Sequence, residues 1–164
     1  MSIRWIFIFL FIVSIGLTSS GYAHCQIPCG IYDDQTRFTL LREHITTIEK
    51  SINQIHELST EPGVNINQLV RWVNNKDTHA DDFTHIITYY FLAQRIKIAD
   101  ESNQAEYMLY QKKVILLHQL TVVAMKCKQT TDLQHTEKLK SLVDQFEDVY
   151  FSPEDKKHLQ EHKK

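Results

Sequence analysis

Nine consecutive residues, His24-Cys25-Gln26-Ile27-Pro28-Cys29-Gly30-Ile31-Tyr32, hold the densest set of metal donors in this chain. A chain that began at His24 would offer an α-amine and an imidazole on one residue. The backbone amide and thiolate of Cys25 follow directly. Pro28 biases Ile27 away from helix, so the segment reverses and returns with Cys29. Gly30 permits a positive φ or a close approach of backbone to a ligand. Two thiolates with amine and amide nitrogens suit square-planar Ni(II) or Cu(II), whereas a tetrahedral zinc site more often uses four side chains. An α-amine is readily available in its neutral form, because its reference pKa is about 8. The amide must lose its proton to bind, which only a strongly polarising metal brings about. Such electron-rich donors stabilise a higher oxidation state, and the His24 imidazole could then add as an axial ligand. The chemistry indicated is one-electron redox.

That chemistry needs a free His24, and the preceding residues account for one. Arg4 gives residues 1–23 a short positive start, Trp5 to Leu17 is an almost unbroken apolar run, and Gly21 and Ala23 are small. This is the pattern of a secretory signal cleaved after Ala23. The apolar run is short of the roughly 20 residues that a membrane helix requires. Cleavage would leave 141 of the 164 residues and move the net charge from −2 to −3, since Arg4 is the only charge removed. The expected destination is the periplasm or the medium, with no stable membrane association afterwards. All three cysteines, Cys25, Cys29 and Cys127, survive cleavage. An odd count in an exported protein means that at least one thiol is unpaired or used chemically.

The elements that must position the site are helices. With 43% hydrophobic residues but only 4 Gly and 3 Pro, the chain has a core to bury and few turn residues for many short strands. The first segment starts near Asp34 as N-cap and carries Phe38, Leu41, Ile45, Ile48, Ile52 and Ile55 at helical spacing. The second runs from about Asn67 to Ile98 with Leu69, Trp72, Val73, Ala80, Phe83, Ile87, Tyr90, Phe91 and Ile96. Its weaker patch, Asn74 to Thr78, is expected to kink or to face another subunit. The third, about Gln104 to Lys128, carries Tyr110, Val114, Leu117, Leu120, Ala124 and Cys127. The fourth opens at Asp132 and carries Leu139, Leu142, Val143, Phe146 and Val149. The expectation is an all-α fold: an antiparallel up-down four-helix bundle over 34–151, with a metal-binding hook at 24–33 and a frayed, charged tail at 152–164.

Other residues read more simply. Cys127 lies on an apolar stripe and is expected to be a buried, inert thiol. His158 and His162 belong to the charged tail. The steps Asp82 to His85 and Asp132 to His135 superficially resemble a di-iron bundle, but such a site also needs inward glutamates on the other two helices, and Asp132 reads better as a helix N-cap. No Gly-rich phosphate loop, His-Glu-x-x-His or nucleophile elbow occurs. The near-neutral charge gives no footprint for nucleic acid. Residue chemistry alone leaves three readings: a redox metalloenzyme, an exported non-catalytic nickel or copper binder, and a structural bundle with a Cys25–Cys29 disulfide.

His-Cys-x-x-Pro-Cys-Gly-x-Tyr from His24 to Tyr32 resembles the hook of the nickel-containing superoxide dismutases. Gly30 to Gln35, Glu49-Lys50, Gln68 to Ala80 and Ala124 to Leu139 are also similar to that family, so the resemblance spans most of Gly30 to Phe151. It implies an antioxidant enzyme that disproportionates superoxide to dioxygen and hydrogen peroxide while one nickel ion per subunit alternates between Ni(II) and Ni(III). It also implies a homohexamer of four-helix bundles. By position, the equatorial ligands would be the His24 α-amine, the Cys25 amide and the Cys25 and Cys29 thiolates. The His24 imidazole would be axial, and Tyr32 would order water or limit access at the open face. Gln26 stands where the family often has an acid, and Leu40 where ungapped counting wants the acid that orients the imidazole. Glu43 and His79 are the candidates for that orienting role.

Overall fold

The computed structural model describes residues 31–60 and 62–161. The signal segment 1–23, hook residues 24–30 and His162 lie outside the described residues, as does the side chain of Tyr32. The described residues form helices and no strand: α1 (Ile31–Thr60), α2 (Ile66–His85) continuing into a π-helical stretch (Ile86–Arg95), α3 (Gln104–Gln129), α4 (Gln134–Tyr150) and a short α5 (Pro153–Glu161). The all-helical expectation therefore holds. Helix α1 packs on α2 and α4, and α3 packs on α2 and α4, so the four long helices close around one core. Arg42 meets Asp144 and Glu147 while Glu49 meets Lys140, so α1 and α4 run in opposite senses. Asp34 meets Tyr90 and Arg95 while Ser51 meets Asn75, and α1 therefore opposes α2 as well.

The apolar seam of α1 is buried from Phe38 to Ile55. It faces Ala80, Phe83 and Ile87 of the second segment, Leu117, Leu120, Ala124 and Cys127 of α3, and Leu139, Val143 and Phe146 of α4. Each such large aliphatic or aromatic side chain contributes about 1.5–3 kcal/mol by leaving water. At one end the core becomes aromatic. The Phe38 ring lies 5.0 Å from Phe91, 5.5 Å from Phe146, 5.6 Å from Tyr150 and 5.4 Å from Phe151, all tilted.

Short polar residues begin the later helices. Asn65 Oδ1 accepts from the Gln68 amide at 3.2 Å, and Asn103 Oδ1 accepts from the Glu106 amide at 3.4 Å. The expected cap Asp132 instead stands one residue ahead of the cap position, which Leu133 occupies, and its Oδ1 accepts from the Gln134 amide at 2.9 Å. Gly63, with φ of 83°, supplies the left-handed residue between α1 and α2.

Three further local expectations are corrected. Asp34 is not a cap, because α1 already includes Ile31 to Asp33 and Asp34 is buried inside it. Asn74 to Thr78 does not interrupt α2. Two of its polar residues turn inward with partners: Asn75 donates to Ser51 Oγ at 2.9 Å, and buried Lys76 donates to the Cys127 and Lys128 carbonyls at 2.6 and 2.7 Å. These carbonyls lie in the last turn of α3, where backbone acceptors lack intrahelical donors and a cation is favoured. The departure from α-geometry comes later, at Ile86, where the backbone bonds lengthen to the five-residue pattern of a π-helix; Ile96 N–H donates to Phe91 C=O at 3.0 Å.

The tail is the third correction. Residues from Pro153 are helical because Ser152 and Asp155 cap one another: the Ser152 amide donates to Asp155 Oδ2 and the Asp155 amide to Ser152 Oγ, both at 3.1 Å. Pro153 at the first helical position has no N–H to leave unsatisfied. Leu159 then packs on the main core.

Candidate metal centre

The hook leads in sequence into α1, whose first described side chain is that of Asp34. Asp34 Oδ1 accepts from the Tyr90 hydroxyl at 2.5 Å. Asp34 Oδ2 accepts from the Tyr150 hydroxyl at 3.0 Å and forms an ion pair with Arg95. Arg95 Nε also donates to the Tyr150 hydroxyl at 3.2 Å. One carboxylate thus ties the start of α1 to the π-helical stretch and to the last residue of α4. With its side chain only 4% exposed, it must be satisfied by partners of this kind.

The electrostatics follow from that packing. Burial pushes the Tyr90 phenol well above its ordinary pKa, and the bond to Asp34 adds to the effect. Burial also raises Tyr150. For Arg95, burial opposes the charge, but the bonds to Asp34 and Tyr150 outweigh it and hold the guanidinium protonated. Arg37 lies over the Tyr90 ring at 5.0 Å, and its buried Nε finds no acceptor among the described residues. Beside this network is a polar hollow of about 260 Å³ lined by Asp34, Arg95, Lys113, Tyr150, Phe151 and Asp155.

Of the residues singled out from sequence, His24, Cys25 and Cys29 lie outside the described residues, and Tyr32 contributes only its backbone to α1. Glu43 is exposed, while His79 is half-buried and its Nδ1 lies 2.8 Å from Nδ1 of His44. That pair sits ten residues beyond Asp34, about 15 Å farther along α1. Burial lowers the His44 pKa, and the neighbouring His79 lowers it further. Cys127 is buried as expected, and desolvation pushes its thiol up to about 11, which leaves it unreactive near neutrality.

Sequence reasoning missed Asp34, Arg95 and Tyr150 as a unit. Asp34 carried the signal of a helix cap, and neither Arg95 nor Tyr150 broke any pattern. The pairing of His44 with His79 had a weak signal only, since both histidines border apolar stripes of helices joined by a short turn.

An all-helical scaffold, preceded in sequence by a segment rich in metal donors, fits the class of helical metalloproteins. The model of the nickel-containing superoxide dismutase family matches residues 19–154 of this chain, and the chain belongs to that family. Among curated proteins and solved structures, none matches it. Family membership makes the protein a superoxide dismutase, an oxidoreductase with nickel as its cofactor.

Proposed function

We propose that the chain is exported, loses residues 1–23, and disproportionates superoxide at a hook formed by the new terminus. The observation that carries this reading is that the family match includes His24 to Tyr32. The donors present fit the metal: the His24 α-amine, the Cys25 amide and the Cys25 and Cys29 thiolates form the nitrogen–sulfur set that square-planar Ni(II) favours. Bound nickel would supply one-electron chemistry by cycling between Ni(II) and Ni(III), giving dioxygen in one half-reaction and hydrogen peroxide in the other. The protein's part would be to hold those donors deprotonated, to bring the His24 imidazole to the metal, and to limit access with Tyr32. The four long helices form the antiparallel up-down bundle that would carry the hook, with Asp34 bracing the start of α1.

Cys25→Ser and Cys29→Ser test this directly. Each should lower the dismutase activity of the nickel-loaded protein by at least about 10²-fold, because losing a group that merely orients a ligand already costs roughly 10- to 100-fold. Wild-type turnover in either variant would exclude the thiolates as ligands.

We also propose that the enzyme is a homo-oligomer, a hexamer by family resemblance. Support comes from α3, whose outer side exposes Met108, Ile115 and Val122 at seven-residue spacing, with Met125 beside them. Such a stripe suits contact with another copy more than contact with water. Light scattering should give a mass several times that of one chain; a monomer would refute the proposal.

A further inference from the structure

Among the described residues, one group of metal-type side chains stands apart from the hook. His44 on α1 and His79 and Asp82 on α2 place one ligand atom each within 4.8 Å of one another. The histidines are half-buried and Asp82 is exposed, so the group opens towards solvent. His79 and Asp82 are three residues apart and share a face of α2. The two helices run in opposite senses and cross-brace at this level, with Asn75 bonded to Ser51 deeper along the same interface.

The geometry points to a second metal site, in which His44 Nδ1, His79 Nδ1 and an Asp82 carboxylate oxygen bind a borderline divalent cation of zinc's class. Two imidazoles and one carboxylate are donors suited to such ions, and three protein ligands leave a position for water. Without a cation, the 2.8 Å Nδ1···Nδ1 separation is a hydrogen bond in which one imidazole donates its proton to the other. With a cation, that proton moves to Nε2 of the same ring, so both Nδ1 lone pairs face the metal and no proton is lost overall. At zinc–nitrogen distances of about 2.0–2.1 Å in tetrahedral geometry, the two nitrogens would stand about 3.3 Å apart. The rings must therefore part by only about half an ångström, within the reach of side-chain rotation on two fixed helices. Asp82 is near enough to His44 for its charge to act on that imidazole. The site would clamp α1 to α2 about 15 Å along α1 from Asp34, and it stands independently of the reaction proposed for the hook.

The test uses the full chain carrying Cys25→Ser and Cys29→Ser, which silences the hook thiolates. Competition with a chromogenic chelator should show one zinc equivalent bound, and zinc should raise the melting temperature. Cobalt(II) in place of zinc should give visible ligand-field bands. Adding His44→Asn and His79→Asn should abolish the stoichiometric equivalent, the thermal shift and the bands. Asp82→Asn, an exposed change that spares the helix interface, should weaken zinc binding about tenfold. Melting without metal establishes that each variant is folded. Zinc affinity and cobalt spectra unchanged by the histidine substitutions would overturn the proposal, as would no stoichiometric zinc in the thiolate-free chain.

Discussion

Nickel-loaded protein beginning at His24 is expected to dismutate superoxide and to give a rhombic Ni(III) resonance, whereas a twin with one extra residue ahead of His24 is expected to lose both. The extra residue turns the α-amine into an amide. An amine with a pKa of about 8 is partly neutral at physiological pH and offers its lone pair cheaply; an amide nitrogen must first be stripped of a proton. The chelate also changes, because the imidazole no longer belongs to the residue that starts the chain. One added residue therefore removes a strong donor and misplaces the axial one. A loss of at least about 10²-fold is expected, by the same comparison with merely orienting groups. Stopped-flow decay of superoxide, with nickel content measured in both proteins, checks it. Equal turnover would sink the hook mechanism, while retained nickel without turnover in the His24 protein would make this chain a carrier.

The second large effect is on stability. Asp34→Ala removes the shared acceptor of Tyr90, Tyr150 and Arg95 and leaves a guanidinium without its counter-charge in a partly buried position. Breaking one side of a buried pair costs about 3–5 kcal/mol. Arg95 retains some exposure, so the lower end applies, and for a chain of this size a melting temperature lower by roughly 10 °C follows. Asp144→Ala is the control. Its partner Arg42 lies on the surface and Asp144 is 68% exposed, so the change should stay within about 1 kcal/mol.

An alkaline limb should accompany it. Tyr90 and Tyr150 have folded pKa values raised above the ordinary phenol value of about 10, Tyr90 through burial first and then Asp34, Tyr150 through burial. The folded state thus keeps protons that the unfolded chain gives up. The associated stability is fully present below about pH 10 and is lost as pH rises towards the folded values. Tyrosinate absorbance should show two late-titrating phenols in the parent and earlier titration in Asp34→Ala. No difference between the two proteins would remove the network from the account.

What could be read in advance depended on whether the signal was local. The α1 seam repeats an apolar residue every three or four positions, and every one of the six residues read from it is buried. The hook's donors are contiguous, so their types and order were visible without a fold. Asp34 was misread because an acid at a helix front ordinarily caps it; only the distant Arg95 and Tyr150 give it another purpose. Lys76 hid for a similar reason. A lysine on an inward face weakens an apolar stripe, and nothing local shows the two carbonyls of α3 that it satisfies. The tail is a different lesson, since Ser152-Pro153-x-Asp155 was a capping signal in plain view, overshadowed by the charge that follows it.

The π-helical stretch has a consequence for how this chain can vary. In ordinary α-geometry Tyr90 and Arg95 would diverge by about 140° around the axis, and one carboxylate could not meet both. Wider winding brings residues five apart onto one side, and both reach Asp34. The segment from Ile86 to Arg95 therefore acts as a vernier whose setting is its residue count. A variant with one residue inserted or removed between Tyr90 and Arg95 should lose that shared alignment on Asp34, whereas exchanges at the exposed Tyr89 and Leu92 should leave it in place.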